Sequence, residues 1–225
     1  MYKNSSLIKV RVWDLPTRVF HWSLVLGIVG LAISGTIGGN AMLWHFRFGY
    51  AVLTLLLFRI VWGLVGGRWS RFGAFIYTPQ TVIAYLKKRG KPEHSVGHNP
   101  LGAGSVFAML AVLLAQVGSG LFSDDDIAFA GPLTRFVSNA TVSLATNYHK
   151  NIGKWVILAL VLLHIAAIVF YLWRKHNLVG AMLHGDKELI ADVPDSRDDA
   201  LSRISAVVVL GICAALVAGL VSLAA

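Results

Sequence analysis

The 225-residue sequence has little charge, one cysteine and no acidic residue inside its long apolar runs. Only 14% of its residues are charged and 56% are hydrophobic, which excludes an ordinary soluble domain and indicates a polytopic membrane protein. The single cysteine, Cys213, lies in an apolar run, so the chain cannot build an internal disulfide or a cysteine metal site. The lack of carboxylates in the apolar runs argues against a proton-coupled transporter.

Five apolar runs are long enough to cross a bilayer as helices. They are predicted at about residues 18–37, 44–65, 101–122, 149–173 and 204–225. The sequence therefore predicts an all-α integral membrane protein, a four-helix transmembrane bundle with an additional C-terminal transmembrane helix. We divide it into a membrane domain at 1–187, a cytoplasmic linker at 188–203 and a fifth helix at 204–225.

The segments between these runs are predicted to lie outside the bilayer core. Thr78-Pro79 is a typical cap and first turn, and predicts a short surface helix. Residues 127–146 are too interrupted by Gly131-Pro132 and Ser138-Asn139 to span, and an interfacial position is predicted for them. Residues 174–203 are predicted to be a polar loop.

The distribution of lysine and arginine predicts the orientation. The formal net charge of +9 is typical of a membrane protein with basic cytoplasmic loops, and we predict no nucleic-acid partner. The N-terminal segment and the second-to-third and fourth-to-fifth loops carry most of the positive charge. The positive-inside rule then places the N-terminus in the cytoplasm and the C-terminus outside. No small-residue cleavage site follows the basic N-terminus, so we expect no cleavable signal peptide.

Four histidines fall into two layers of this bundle. His149 and His164 lie fifteen residues apart on the fourth helix, about 22 Å along an ideal α-helix and roughly 60° apart around it. His21 shares the cytoplasmic layer with His164, and His45 shares the outer layer with His149. Facing imidazoles in a bundle are typical axial ligands of haem iron. Zinc is disfavoured, because a structural zinc site needs about four ligands at one depth.

Neighbouring residues suit a haem. His45 and His149 are each followed, four positions later, by a glycine, Gly49 and Gly153, which we expect to leave room for a flat macrocycle. Arg18 and Arg47 are candidate partners for the haem propionates. Interfacial snorkelling is an equally strong interpretation of both arginines.

Other polar residues support weaker hypotheses. His98, in Gly97-His98-Asn99-Pro100, lies near the inner layer and is a candidate to serve a quinone or a proton, or to cap the third helix. His94, His176 and His184 are interpreted as solvated or headgroup-level residues. Asp124, Asp125 and Asp126 face outside, where a solvated loop is favoured over a docking patch for a basic redox partner.

The chain resembles the prokaryotic cytochrome b561 family, which includes the b-type cytochrome subunit of membrane-bound nickel–iron hydrogenases. The resemblance covers roughly residues 10–187. It implies two b haems, with His21 and His164 as one pair of axial ligands and His45 and His149 as the other, and electron exchange with the quinone pool. The matching segments are 18–22, His45 with Gly49, 97–102, 131–133, His149 with Gly153, His164, and 177–185.

We therefore interpret the protein as a di-haem b-type cytochrome of a bacterial inner membrane and respiratory chain. It would transfer electrons between quinone and a periplasmic partner, either a c-type cytochrome or a hydrogenase. Some members of the family resemble superoxide oxidases, so a superoxide:ubiquinone oxidoreductase without a partner subunit is an alternative. A non-redox transporter or sensor is another. The fifth helix is not part of the four-helix core found in the family's short members. It would pack beside the bundle, form a homodimer or hold a partner subunit.

Overall fold

The computed structural model describes residues 7–189 and 193–223. Within these residues, five helices are long and apolar enough to cross a membrane, which confirms the predicted class. Apart from four short 3-10 turns, the elements are β1 (Ile8–Arg11), α1 (Leu15–Ile37), α2 (Met42–Val65), α3 (Pro79–Leu86), α4 (Pro100–Leu121), α5 (Asn139–Asn147), a π-helical segment (Tyr148–Gly153), α6 (Lys154–Trp173), α7 (Leu178–His184), β2 (Asp186–Leu189) and α8 (Ala200–Ser222).

The fourth span begins earlier than the sequence predicts. Helix α5 starts at Asn139 and continues through the π-helical segment into α6, so the candidate span covers Asn139–Trp173. The last eight residues of the stretch 127–146 are therefore helical and not interrupted, while the interfacial position of the stretch stays a prediction. Ser138, which we took as an interruption, accepts a hydrogen bond from the Thr141 amide and caps the helix instead.

Residues 174–203 are more ordered than a polar loop. They contain α7 and β2, and β2 pairs antiparallel with β1, with Ile8 opposite Leu189 and Arg11 opposite Asp186. Gly185 makes this return possible: its φ is +93°, and its carbonyl accepts hydrogen bonds from the amides of Val12 and Trp13, both at 2.9 Å. The fifth span also starts earlier than predicted, at Ala200, and its last two predicted residues lie outside the described residues.

Short polar side chains begin most of the long helices by binding a backbone amide of the first turn. The predicted cap of α3 is confirmed, since Thr78 Oγ1 accepts from the Thr81 amide. The third span is capped by Asn99 and not by His98, the residue predicted as a possible cap: Asn99 Oδ1 accepts from the Gly102 amide at 2.8 Å. Asp14 and Asp199 accept in the same way from Thr17 and Ser202, at the starts of α1 and α8.

The chain divides into two compact units. The first contains residues 1–19, 59–107 and 164–207, and the second contains 20–58, 108–163 and 208–225. The first unit has a buried cluster of Val10, Val12, Trp13, Val96 and Ala181. In the second unit Val52 and Leu56 are fully buried, and Cys213 is buried at 3% exposure, as expected for a cysteine that only packs.

Large apolar side chains cover the outside of the long helices. Leu26 is 71% exposed, Leu163 is 66% exposed and Val207 is 69% exposed. A soluble protein rarely exposes contiguous apolar area on this scale. These surfaces are therefore the ones that face lipid.

In the first unit, Asp198 joins the start of α8 to the start of α1. Its side chain is 7% exposed, accepts from the Leu15 amide at 3.1 Å, and pairs with Arg11 and Arg203, both at 3.2 Å. Burial alone would raise the pKa of Asp198, but the hydrogen bonds from Arg203 and Leu15 and the charges of Arg203 and Arg11 lower it. Asp198 therefore holds the segment before the fifth helix against the N-terminal segment as a carboxylate.

We expect Asp198→Asn to destabilise the protein by about 1 kcal/mol at neutral pH, a value reduced for the solvent that screens Arg11 and Arg203. Because the folded-state pKa of Asp198 is depressed, its stabilisation is complete above the unfolded value of about 3.9. It is lost as the pH falls through the folded pKa. Unfolding of wild type and Asp198→Asn in detergent should therefore differ at pH 7 and converge in acid. Asp126→Asn, at an exposed position, is the matched control; an equal loss there would contradict the role of Asp198.

Candidate haem site

The structure brings His45 and His149 together in the second unit. Their ring centres lie 6.1 Å apart and the ring planes are perpendicular, at 88°. Both side chains are partly buried. These are the two histidines that the sequence assigns to the outer layer.

Each of these imidazoles is held by a backbone carbonyl through Nδ1. His45 Nδ1 lies 3.1 Å from the Leu31 oxygen of α1, and His149 Nδ1 lies 2.8 Å from the Gln116 oxygen of α4. A carbonyl only accepts hydrogen bonds, so Nδ1 must carry the proton in both rings. Nε2 then keeps its lone pair, which is the form of histidine that binds a metal.

His149 lies in the π-helical segment rather than in a regular α-helix. Such segments are rare and occur frequently at functional sites. Gln116 binds this segment twice, because its carbonyl accepts from His149 Nδ1 and its side-chain amide donates to the His149 carbonyl at 3.0 Å. The angle of 60° expected between His149 and His164 assumed an ideal α-helix, and the π-helical segment invalidates that assumption.

The two glycines that follow the histidines differ. At Gly49 the nearest atom to an added Cβ is Leu31 Cδ2, at 4.0 Å, so the space expected beside the helix is present. At Gly153 the same space is filled by the side-chain amide of Gln116. The prediction that Gly153 leaves room for a macrocycle is therefore wrong: the glycine admits Gln116, which holds His149.

The donor pair fits an axially ligated haem. A metal ion held by both rings needs a bond of about 2 Å to each nitrogen. Two such bonds take up about 4 Å of the observed 6.1 Å between ring centres. The remaining distance, about 1 Å on each side, is the distance from the bonding nitrogen to its own ring centre. The hydrogen bonds from Nδ1 to carbonyls are the outer contacts that metal-binding histidines typically make. Within the described residues, no group of three or more His, Cys, Asp or Glu side chains is arranged to hold a metal ion.

His21 and His164 belong to different units, and their pairing stays a prediction. Both side chains are partly buried. The His21 ring packs edge-to-face against Trp22, with 5.0 Å between ring centres.

The arginines predicted to bind propionates have protein partners. Arg18 Nη1 donates to the Leu183 carbonyl at 2.7 Å, and Nη2 lies 3.8 Å from Asp198. Arg47 is exposed, and its guanidinium stacks on Trp44, 4.8 Å from the ring centre. Neither contact tests the propionate role.

Sequence reasoning missed Arg59, a buried arginine inside α2. It is 3% exposed, and its guanidinium lies over the Phe72 ring at 4.8 Å. Among the described residues, Arg59 Nη1 and Arg18 Nε are buried nitrogen atoms with no hydrogen-bond partner. A buried guanidinium with an unused donor suits an anionic group such as a carboxylate. The available signal was its position deep in an apolar run, whereas Arg47, the other arginine of that run, lies near the start of the helix.

His98 lies between two aromatic rings in the first unit. Its ring centre is 4.6 Å from that of Trp13 and 4.5 Å from that of Phe75. Next to it, the Asn99 amide donates to the Tyr171 hydroxyl at 2.8 Å, and the hydroxyls of Tyr171 and Tyr85 are 3.3 Å apart. Burial and this hydrogen bond raise the pKa of Tyr85, so the phenol keeps its proton at neutral pH.

The acidic loop after α4 is organised by one carboxylate. Asp125 Oδ1 accepts from the amides of Ile127, Ala128 and Phe129, at 2.9–3.0 Å. The bonds from Phe129, Ala128 and Ile127 lower the pKa of Asp125. The carboxylate therefore shapes a turn.

Comparison with known proteins identifies the family. The family model for prokaryotic cytochrome b561 matches residues 12–185. The "Probable Ni/Fe-hydrogenase 1 B-type cytochrome subunit" of Escherichia coli strain K12 is 25% identical over 217 residues, which cover 81% of this chain and 92% of that protein. The "Probable Ni/Fe-hydrogenase B-type cytochrome subunit" of Azotobacter vinelandii is 26% identical over 223 residues, 83% and 91% of the two chains. Because the family match covers most of the sequence, the chain belongs to the prokaryotic cytochrome b561 family.

Proposed function

We propose that this protein is a di-haem electron carrier between the quinone pool and a redox partner at the outer membrane face. Its family makes it a membrane b-type cytochrome, which carries haem b and takes part in electron transport. The observation that carries the finer proposal is the His45–His149 pair, with both Nδ1 atoms bound to carbonyls and the rings 6.1 Å apart.

His45 and His149 would hold the outer haem through Nε2. When bound, haem b supplies one-electron redox chemistry at its iron. The chain would contribute the two ligand imidazoles, whose Nδ1 atoms are held by the Leu31 and Gln116 carbonyls. Phe46, next to His45, packs on Phe129 with 6.2 Å between ring centres.

His21 and His164 would hold the inner haem, as the sequence predicts. In the first unit, Arg18 and Arg59 are the cations suited to its propionates, because each has a buried nitrogen that binds no described residue. The positive-inside rule supports a cytoplasmic position for this layer and a periplasmic position for the other. The bacterial inner membrane is the compartment with those two sides.

We assign quinone to the surroundings of His98. A quinone head group is a flat ring with two carbonyl acceptors, so it suits aromatic neighbours and protonated hydroxyl donors. Trp13 and Phe75 provide the aromatic surface, and Tyr85 provides a phenol whose pKa is raised. This residue set lies entirely in the first unit.

The relatives suggest the partner. Their names describe B-type cytochrome subunits of Ni/Fe-hydrogenase. A hydrogenase is therefore the partner that we propose for this chain, with a c-type cytochrome as the alternative. Electrons would pass between that partner and the outer haem.

Exposed cations near His45 and His149 favour a second candidate function, superoxide oxidation with quinone as electron acceptor. Arg47 is two residues from His45, Lys150 is adjacent to His149, and both are exposed, as is Lys154. Positive charge at a redox site attracts a small anion and raises its encounter rate. In this reaction each superoxide would be oxidised by one electron to dioxygen, and two such electrons with two protons would reduce the quinone to quinol.

The two functions can be separated with the purified protein in quinone-containing vesicles. An electron carrier should contain two b haems per chain that are reduced by quinol, and superoxide should reduce them no faster in wild type than in Arg47→Gln/Lys150→Gln. A superoxide oxidase should be reduced rapidly by superoxide without a partner, and the double substitution should slow that step at least tenfold at low salt. A protein without bound haem would contradict both functions and favour the non-redox alternative.

A further inference from the structure

We propose that Ser34-Gly35 and Ser119-Gly120 are equivalent positioning elements that fix the two outer imidazoles and set the reduction potential of the outer haem. This inference rests on the proposed ligation by His45 and His149. They are the two Ser-Gly dipeptides of the sequence. One lies in α1 and the other in α4, and both belong to the second unit.

The two dipeptides have the same geometric relation to their histidines. In each helix, the carbonyl that accepts from Nδ1 lies four residues before the glycine: Leu31 before Gly35, and Gln116 before Gly120. In an α-helix that carbonyl already accepts from the amide four residues later, and its second lone pair stays available. The imidazole uses this second lone pair, and so it must approach the helix beside the glycine.

The imidazole lies so close to each glycine that an added Cβ would crowd it, more at Gly120 than at Gly35. A Cβ on Gly120 would stand 2.8 Å from His149 Cε1, and a Cβ on Gly35 would stand 3.1 Å from Cε1 and Nδ1 of His45. Both distances are below ordinary van der Waals contact. By contrast, a Cβ on Gly118 would have no atom within 4 Å. Glycines of the same helix thus differ in whether a histidine lies against them.

The two serine hydroxyls differ in how strongly they compete with the histidines for the Leu31 and Gln116 carbonyl oxygens. Each Oγ lies 3.4 Å from Nδ1 of its histidine. Ser119 Oγ donates to the Gln116 oxygen at 2.8 Å, and therefore competes with His149 for one acceptor. Ser34 Oγ donates mainly to the Gly30 oxygen at 2.6 Å and reaches the Leu31 oxygen only at 3.4 Å. Ser119 should therefore weaken its histidine's hydrogen bond more than Ser34 does.

The hydrogen bond from Nδ1 makes Nε2 a stronger donor to a metal. A stronger donor stabilises ferric over ferrous iron, so strengthening this bond lowers the reduction potential and weakening it raises the potential. The two kinds of substitution should then act in opposite directions. Replacing the glycine displaces the ring from the carbonyl, whereas replacing Ser119 removes a competing donor.

The test is a redox titration of the purified, haem-loaded protein followed by visible and electron paramagnetic resonance spectra. Gly120→Ala should raise the reduction potential of the haem that depends on His149. The expected cause is a roughly tenfold loss of the site's preference for ferric over ferrous iron. For a one-electron couple, this corresponds to an increase of about 59 mV in the potential. Gly35→Ala should raise it less, and Gly118→Ala should leave it unchanged. Ser119→Ala should lower it, with a smaller change in Ser34→Ala.

Loss of the outer haem from Gly120→Ala but not from Gly118→Ala also supports the inference, because a Cβ at position 120 would meet His149 and one at position 118 would meet nothing. Equal potentials in these two variants, or a potential that does not fall in Ser119→Ala, would overturn it. If the wild type binds haem that His149→Ala leaves undisturbed, the proposed ligation itself fails.

Discussion

Replacing His149 with alanine is expected to lower the haem content of the purified protein from two haems per chain to one. In the proposed haem site the His149 imidazole is one of two ligands, with His45, and a bundle site with one remaining ligand binds haem weakly. Pyridine haemochrome analysis against protein concentration measures the ratio. His176→Ala is the matched control, because His176 is an exposed histidine bonded through Nδ1 to the Arg174 carbonyl.

The same experiment separates the two layers. His45→Ala should remove the same spectral component as His149→Ala, and the double variant should be no worse than either single one. His164→Ala should remove the other component. If His45→Ala and His149→Ala disturbed different haems, the pairing that the 6.1 Å approach supports would be wrong.

The largest loss of stability is expected from Asp14→Ala. Asp14 is fully buried and its carboxylate accepts from the Thr17 amide, the Gly67 amide and Ser70 Oγ at 2.8–3.0 Å, with Trp62 Nε1 at 3.3 Å. Alanine would leave several of these buried donors unsatisfied. Each such donor costs about 1–3 kcal/mol, so we expect a loss of about 3 kcal/mol or more.

Chemical unfolding in detergent, followed by tryptophan fluorescence, measures this loss. Asp14→Asn should be intermediate, because the amide keeps one oxygen acceptor but adds a buried donor. Glu188→Ala removes an exposed carboxylate on β2 and should change stability by less than 0.5 kcal/mol, as surface substitutions usually do (about ±0.5). An Asp14→Ala protein as stable as Glu188→Ala would contradict the structural role of Asp14.

The membrane class, the five spans and the four candidate ligands followed from local patterns. A helix in lipid must satisfy its own backbone, so about twenty apolar residues are a sufficient signal. The bounds of α1, α2 and α4 agree with the first three predicted spans within three residues. The family match at residues 12–185 confirms the resemblance on which the haem prediction relied. His98 and the cap before α3 were also visible in the sequence.

Other features depend on residues that are distant in the chain. The antiparallel pairing of β1 with β2 joins segments about 180 residues apart, and no local pattern reveals such a pairing. No local pattern marks Asp14 as more than a polar residue before α1, because its partners Trp62, Gly67 and Ser70 lie about 50 residues away in the chain. The start of α5 was missed because Ser138 and Asn139 signal both an interruption and a helix beginning.

The sequence by itself determined that this protein is a histidine-bearing membrane bundle of the cytochrome b561 family, since hydropathy and ligand identity are properties of single residues. Only the tertiary structure decided how the outer histidines are held. Gln116 and Gly120 of α4 contact His149, Gly153 admits the Gln116 side chain, and Gly35 of α1 lies against His45. The sequence does not show whether a glycine has a histidine side chain packed against it. That depends on how the helices pack in the folded protein.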